Sequence, residues 1–323
     1  MAAQILTEIA HRRHAGHRHA LHVKTPALPL FPLFCYAMSS TYLLMLAICA
    51  VWLPPLPLSP RLRLALWLPL LVLAVVTGMI DGHIQAMGVL GLLGLGVAAW
   101  GATRASVSWQ RRGLLILALL MSLLLALHRW PGFINVQVLP RQAITPDALP
   151  FLLYANFDKG AAGLLLLALL VPRCQRLREW STTLRLTLLP GFITIATVML
   201  LGWLIGMVRP EWKWPPFAGI FLAINLLLTV VAEEAFFRGL IQHRLQAAFK
   251  PLPAGDLLAV LVSALLFGAA HLGGGLGYAA LVTVAGLGYA WVFLRSARIE
   301  AAIALHFTLN AVHFIGFTYP ALA

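Results

Sequence analysis

A chain of 323 residues that is 61% hydrophobic and only 10% charged is not a water-soluble domain, where about a quarter of residues carry charge. Its net charge of +13 does not point to nucleic acid. The Lys and Arg lie in short clusters between apolar segments, without interleaved aromatics, as expected of topology signals and contacts to anionic headgroups. Cys35, Cys49 and Cys174 are an odd number with no CxxC spacing, so they read as buried small residues and not as a disulfide framework or zinc site.

Apolar windows long enough to cross ~30 Å of hydrocarbon recur along the whole chain. They are rich in Leu and Ala and do not alternate, so helices are expected and strands are not. The fold class is therefore all-α, a polytopic membrane bundle of about ten transmembrane helices. Residues 1–28 form a basic tail with His11, His14, His17, His19 and His22 among its arginines. A solvated tail at the lipid headgroups explains it better than a metal-binding tract, and no secretory signal peptide is evident. Spans are predicted at 33–53, 64–81, 84–102, 113–130, 151–171, 186–208, 217–247, 256–272, 276–294 and 300–318. Pro54, Pro55, Pro57 and Pro60 end the first. Residues 29–150 form the N-terminal helices, and 151–323 a second unit entered after a long connection between Pro131 and Pro150. Most of the Lys and Arg fall after odd-numbered spans, which puts those loops in the cytosol and both termini outside. There is no internal repeat of the kind found in many secondary transporters.

Asn156, Asp158 and Lys159 stand at the start of the fifth span, where Asp158 and Lys159 read as a span end or a structural ion pair, with a part in positioning substrate as the lesser alternative. His83 and His128 sit at span ends and read as interfacial. The seventh span has an apolar first half, and at ~1.5 Å per residue it is too long for the bilayer. It should leave lipid soon after Glu233 and Glu234 and project Arg238, Gln242, His243 and Arg244 toward water. The chain has ten Asp and Glu in all, and two of them stand together in this membrane-length run. Ionisable groups in hydrocarbon cost several kcal/mol, so they face cavities, partners or substrates. Glu234 and Arg238 are four apart with the acid first, the favourable order for a structural ion pair. Glu233, about 100° away on the helix, is left as the free carboxylate.

After a turn at Pro251, Pro253 and Gly255 the chain re-enters the membrane, and His271 reaches a depth similar to that of Glu233 in an antiparallel hairpin. Gly268 permits close helix approach, and Gly273, Gly274 and Gly275 end the helix beyond the imidazole. His306 and Asn310 share one stripe of the last span, and His313 extends it. A lone intramembrane His often only bonds a carbonyl, and His313 is read that way. Three spans carrying such groups, if they converge, would form a compact wet site.

Glu233-Glu234-x-x-x-Arg238, Phe267-x-x-x-His271 and His306-x-x-x-Asn310, in that order on successive spans, resemble the three motifs of the CPBP family. That family comprises the type II CAAX prenyl endopeptidases of Ras-converting type and bacterial relatives, some linked to bacteriocin self-immunity. The likeness covers roughly 150–320 and implies a CAAX-protease-like core and proteolysis at or within the membrane. The residues suit it. Glu233 is the expected general base, with His271 polarising the same water. His306 and Asn310 would donate hydrogen bonds to the oxyanion, worth ~3–4 kcal/mol per donor. A Zn²⁺ held by Glu233, His271 and His306 with an open fourth position is the alternative, although no HExxH is present. The metal-free glutamate mechanism is preferred. A membrane-associated protein or peptide is the expected substrate, and the cell membrane the expected location. Two other classes compete: a transporter or proton relay, which a Glu-His-His set also suits, and a non-catalytic immunity or scaffold protein.

Overall fold

The computed structural model describes residues 38–59 and 63–323. The His-rich tail, Cys35 and Pro60 lie outside the described residues. Ten helices run in chain order among them: α1 (Ser39–Ala50), α2 (Trp67–Ile80), α3 (Ala86–Arg104), α4 (Ser108–Ala126), α5 (Phe157–Leu170), α6 (Leu177–Leu204), α7 (Ala218–Phe249), α8 (Gly255–Ala269), α9 (Leu276–Ser296) and α10 (Ile299–Gly316). Each falls within or across one expected span. Six of them, α3, α4, α6, α7, α9 and α10, are long and apolar enough to cross a membrane. Leucines along the outer faces, such as Leu73, Leu90, Leu93, Leu188, Leu189 and Leu265, are exposed, as lipid contact requires.

Strands nevertheless occur, contrary to the composition-based expectation. β1 (Leu56–Pro57) pairs with β2 (Arg63–Leu64), and β3 (Val136–Gln142) with β4 (Phe151–Ala155), both antiparallel. The second hairpin is irregular between Leu139 and Gln142, where Pro140 has no N–H to donate. The expected span 151–171 is therefore divided. Phe151 to Ala155 alternates buried and half-buried positions as a strand, and the helix begins only at Phe157. A short apolar run of this kind does not declare its period.

Helix α5 is 14 residues long, and every residue from Phe157 to Leu167 is buried. It is too short to span hydrocarbon unaided, and it does not need to, because it lies inside a wall of other helices. It packs on α1, α3, α4 and α7. The β3–β4 hairpin and the C-terminal segment close one end of the bundle. Leu149 N–H donates to the Ala321 carbonyl, Leu322 N–H to Met207 and Thr318 N–H to Arg209, each at 2.9 Å. Phe151 of β4 then meets Phe221 of α7 and Tyr319 edge-on, at 5.8 and 5.1 Å between ring centres. Cys174 is buried as expected, whereas Cys49 is exposed on the outer face of α1.

Candidate active site

Helix α7 departs from regular α geometry on both sides of its two carboxylates. Asn225–Val230 and Ala235–Gln242 are π-helical, with Val231–Glu234 the α-helical stretch between them. Wide turns of this kind are frequent at functional sites. The polar end of α7 does not simply project into water. Arg238 and Gln242 are fully buried, and their donors reach the Gly286 and Ala290 carbonyls of α9 at 3.0 and 2.9 Å.

The expected i,i+4 pair forms. Arg238 Nη1 lies 3.1 Å from Glu234 Oε1, and neither side chain has any solvent exposure. The guanidinium also sits over the rings of Phe267 and Tyr289, 4.6 and 5.3 Å from their centres. Glu234 does more than clamp Arg238, however. Its Oε1 also accepts from His306 Nδ1 at 2.7 Å. The other ring nitrogen, Nε2, stands 3.9 Å from Glu233 Oε2. The two neighbouring carboxylates therefore flank one imidazole from α10, and Glu233 does not point away from the site. Tyr289 of α9 stacks on that imidazole, with centres 4.5 Å apart and planes 15° from parallel.

Glu233 is not a free carboxylate. Lys159 of α5 donates from Nζ to Glu233 Oε1 at 2.7 Å, with both side chains almost wholly buried. Two glycines of α5 bring the helices this close. A Cβ on Gly163 would collide with Ala232, and one on Gly160 would come within 2.7 Å of Leu228. Asp158 does not pair with Lys159, as the sequence suggested. It accepts from His128 Nδ1 at 2.6 Å and from Asn135 Nδ2 at 3.0 Å. Asn135 Oδ1 in turn takes the Phe157 N–H at 2.8 Å. His128 is thus a half-buried partner that fixes the start of α5.

Helix α8 ends at Ala269, two residues ahead of the expected imidazole, and a 3₁₀ turn at Leu272–Gly274 follows. His271 Nδ1 bonds the Phe267 carbonyl at 2.8 Å. A carbonyl can only accept, so Nδ1 carries the proton and Nε2 is left for other work. Gly268 holds α8 against α9, since a Cβ there would meet Thr283 and come 2.9 Å from the Ala279 carbonyl. On α10, Asn310 Nδ2 donates to Asn225 Oδ1 at 3.2 Å. Asn225 interrupts the half of α7 that otherwise reads as apolar, and the sequence reading passed over it. Its signal was there: a lone carboxamide eight residues before Glu233. Tyr289 was also missed, and nothing in an aromatic on an apolar helix marks it out.

Glu233, His271, His306 and Asn310 all line one cavity of about 140 Å³, as do Lys159 and Asn225. His313 lines it too, beside Tyr319 with ring centres 5.0 Å apart. A second, largely apolar cavity of about 90 Å³ lies between α4, α5, α7 and α8. Lys159, Glu233 and His271 line both, so these three side chains form the partition. A Zn²⁺ on Glu233, His271 and His306 fits this arrangement poorly. The Lys159 ammonium already occupies one oxygen of the carboxylate and puts a positive charge beside the place an ion would take, whereas the Nδ1 bonds of His306 and His271 leave Nε2 available as a ligand. Among the described residues no three His, Cys, Asp or Glu are grouped to hold a metal.

The polar residues that meet here come from the order of motifs noted in the sequence. Residues 214–312 match a family model, type II CAAX prenyl endopeptidase Rce1-like. The resemblance is thereby shown over the segment that carries Glu233, Glu234, Arg238, His271, His306 and Asn310. That segment is narrower than the 150–320 expected, and it leaves out α5 and Lys159. No curated protein and no solved structure matches the chain. The match supports a CAAX-type intramembrane protease in general. With six helices able to cross a bilayer, it supports a multi-pass membrane protein.

Proposed function

We propose that this chain is an endopeptidase that hydrolyses a peptide bond of a membrane-associated protein or peptide, using a water activated by Glu233 without a metal. One observation carries the reading. A carboxylate and a carboxamide from two helices, with one imidazole from α10 and one from the turn after α8, line one cavity in an otherwise apolar bundle. Lys159 engages Oε1, so Oε2 is the oxygen left to accept the proton of water. His306 Nε2 at 3.9 Å from Oε2 is close enough for both atoms to reach one oxygen at ~2.8 Å. His271 offers Nε2 to the same volume. The water attacks the carbonyl carbon while its proton passes to Glu233, and the same proton then goes to the leaving amine.

The tetrahedral oxyanion needs donors. Asn310 keeps one amide N–H beyond the one given to Asn225. His306 can donate from Nε2 only as an imidazolium, because its Nδ1 proton already goes to Glu234. The location proposed is the cell membrane.

The test compares protein termini in membranes of cells producing the wild type or Glu233→Gln. New termini present with the wild type and lost with the variant, at a rate deficit of about 10³-fold or more, support the reading. They also name the substrate. Solute flux that is lost with Glu233→Gln while no protein is ever cut would replace it with a carrier. Function retained by Glu233→Ala and His271→Ala would replace it with a binding protein. Activity that survives chelation supports the metal-free route, and zinc-dependent recovery overturns it.

A further inference from the structure

The ion pair between Lys159 and Glu233 joins two parts of the chain 74 residues apart, and its lysine lies outside the segment that resembles the protease family. A buried lysine requires a reason, since an ammonium removed from water is costly unless it is paired and useful. Structural gain alone is a weak reason, because replacing such pairs with apolar residues is often neutral or stabilising.

This pair is also built with care. Lys159 is the third residue of α5, and the residue before it is held by His128 and Asn135, while Asn135 also takes the Phe157 N–H. Gly160 and Gly163 then press α5 onto α7, against Leu228 and Ala232. The lysine backbone is therefore fixed with respect to Glu233 before its side chain makes any contact. The ammonium occupies Oε1 and leaves Oε2 facing His306. It also sits at the partition between the two cavities.

We propose that Lys159 is a positioning residue for Glu233, one that selects Oε2 as the proton acceptor and supplies the counter-charge throughout the reaction. This rests on the hydrolytic reading given above. In the attack step the water O–H bond breaks and its proton goes to Oε2. A C–O bond forms, and the carbonyl π pair moves onto oxygen. Negative charge thus leaves Glu233 and reappears on the oxyanion a few ångströms away. An ammonium already present offsets it in both positions without any group having to move, which is how preorganised charge lowers a barrier. When the C–N bond breaks, the proton on Oε2 goes to the amine and the original ion pair is restored.

The probe is a peptide spanning the most abundant new terminus found with the wild type, cleaved by the full chain in proteoliposomes. Lys159→Met should lower kcat by about 10²–10³-fold, the range for loss of one preorganised donor, with KM within threefold. Lys159→Arg should recover at least tenfold of that loss, because it restores the charge. If Lys159→Met does not give folded protein, Lys159→Gln replaces it: the amide can still donate to Oε1 but carries no charge, and the same loss of kcat is expected. A neutral variant with kcat within threefold of wild type overturns the proposal. So does a rise in KM at unchanged kcat, which would make Lys159 a substrate contact. A purely structural lysine would lower the amount of folded enzyme and leave kcat per folded molecule unchanged, and that result also overturns it. Should the wild type cut nothing, the hydrolytic reading fails first. Should the wild type cut and Glu233→Gln not, while Lys159→Met does, only the role of Lys159 is lost.

Discussion

Arg238→Met tests whether the fully buried Glu234–Arg238 pair holds α7, α9 and α10 together. The substitution keeps a long apolar stem over the Phe267 and Tyr289 rings but removes the charge paired with Glu234 and the donor to the Gly286 carbonyl. Neither carboxylate nor guanidinium has any exposure, so solvent cannot take over the abandoned charge. Removing one partner of a buried pair costs ~3–5 kcal/mol. That lowers the folded-to-unfolded ratio by roughly two to four powers of ten. Unfolding in mixed detergent micelles, followed by far-ultraviolet circular dichroism as the fraction of denaturing detergent rises, measures this directly. Adding Glu234→Gln to Arg238→Met should recover about half of the loss or more. No charge then remains without a partner, and the glutamine carbonyl can still accept from His306 Nδ1. A single variant within about 1 kcal/mol of wild type would refute the reasoning, since no lost interaction of this kind is that small. A double variant no more stable than the single one would refute it too.

Asn225→Leu should lower the cleavage rate about tenfold, the equivalent of one net hydrogen bond, because Asn310 loses the carboxamide that orients it. Asn310→Ala, assayed with the same peptide, should cost more. Gly163→Val should reduce cleavage by about 10²-fold, since the new side chain meets Ala232 and must push α5 away from α7 by an ångström or so. Far-ultraviolet dichroism should show the helices still formed. Cys174 lies in the loop before α6, where burial raises its thiol to about 11, with the Thr183 hydroxyl pulling the other way. At pH 8 only about one thiol in a thousand is then ionised. Maleimide labelling at Cys174 should be slow in the folded protein, speed up as pH rises through the folded value, and become fast at pH 8 once detergent unfolds the chain.

The helices were legible because each rests on a local property, a run of apolar residues ended by Pro, Gly or a charge cluster. The Glu234–Arg238 pair was legible for the same reason, as a contact within one helical turn. The β3–β4 hairpin was not, because Phe151 to Ala155 is apolar at every position and merges with the helix that follows. Lys159 and Glu233 are 74 positions apart, and no local pattern joins them: their contact is made by glycines on one helix and an alanine on another. The pairing of His306 with Glu234 was hidden likewise. Spacing on each helix says which groups share a stripe, but the azimuth at which α7 meets α10 is a property of packing. The π turns around Glu233 and Glu234 then shift that azimuth, and no residue preference announces them.

The burial of α5 has a practical consequence for anyone wishing to move this chemistry elsewhere. The segment bounded by 214 and 312 looks like a portable cassette, yet transplanting it alone would strand Glu233 beside bare lipid, with no cation facing it and no neighbour for Ala232. The smallest piece able to reproduce the site must reach back at least to His128, whose grip on Asp158 sets where the borrowed lysine stands.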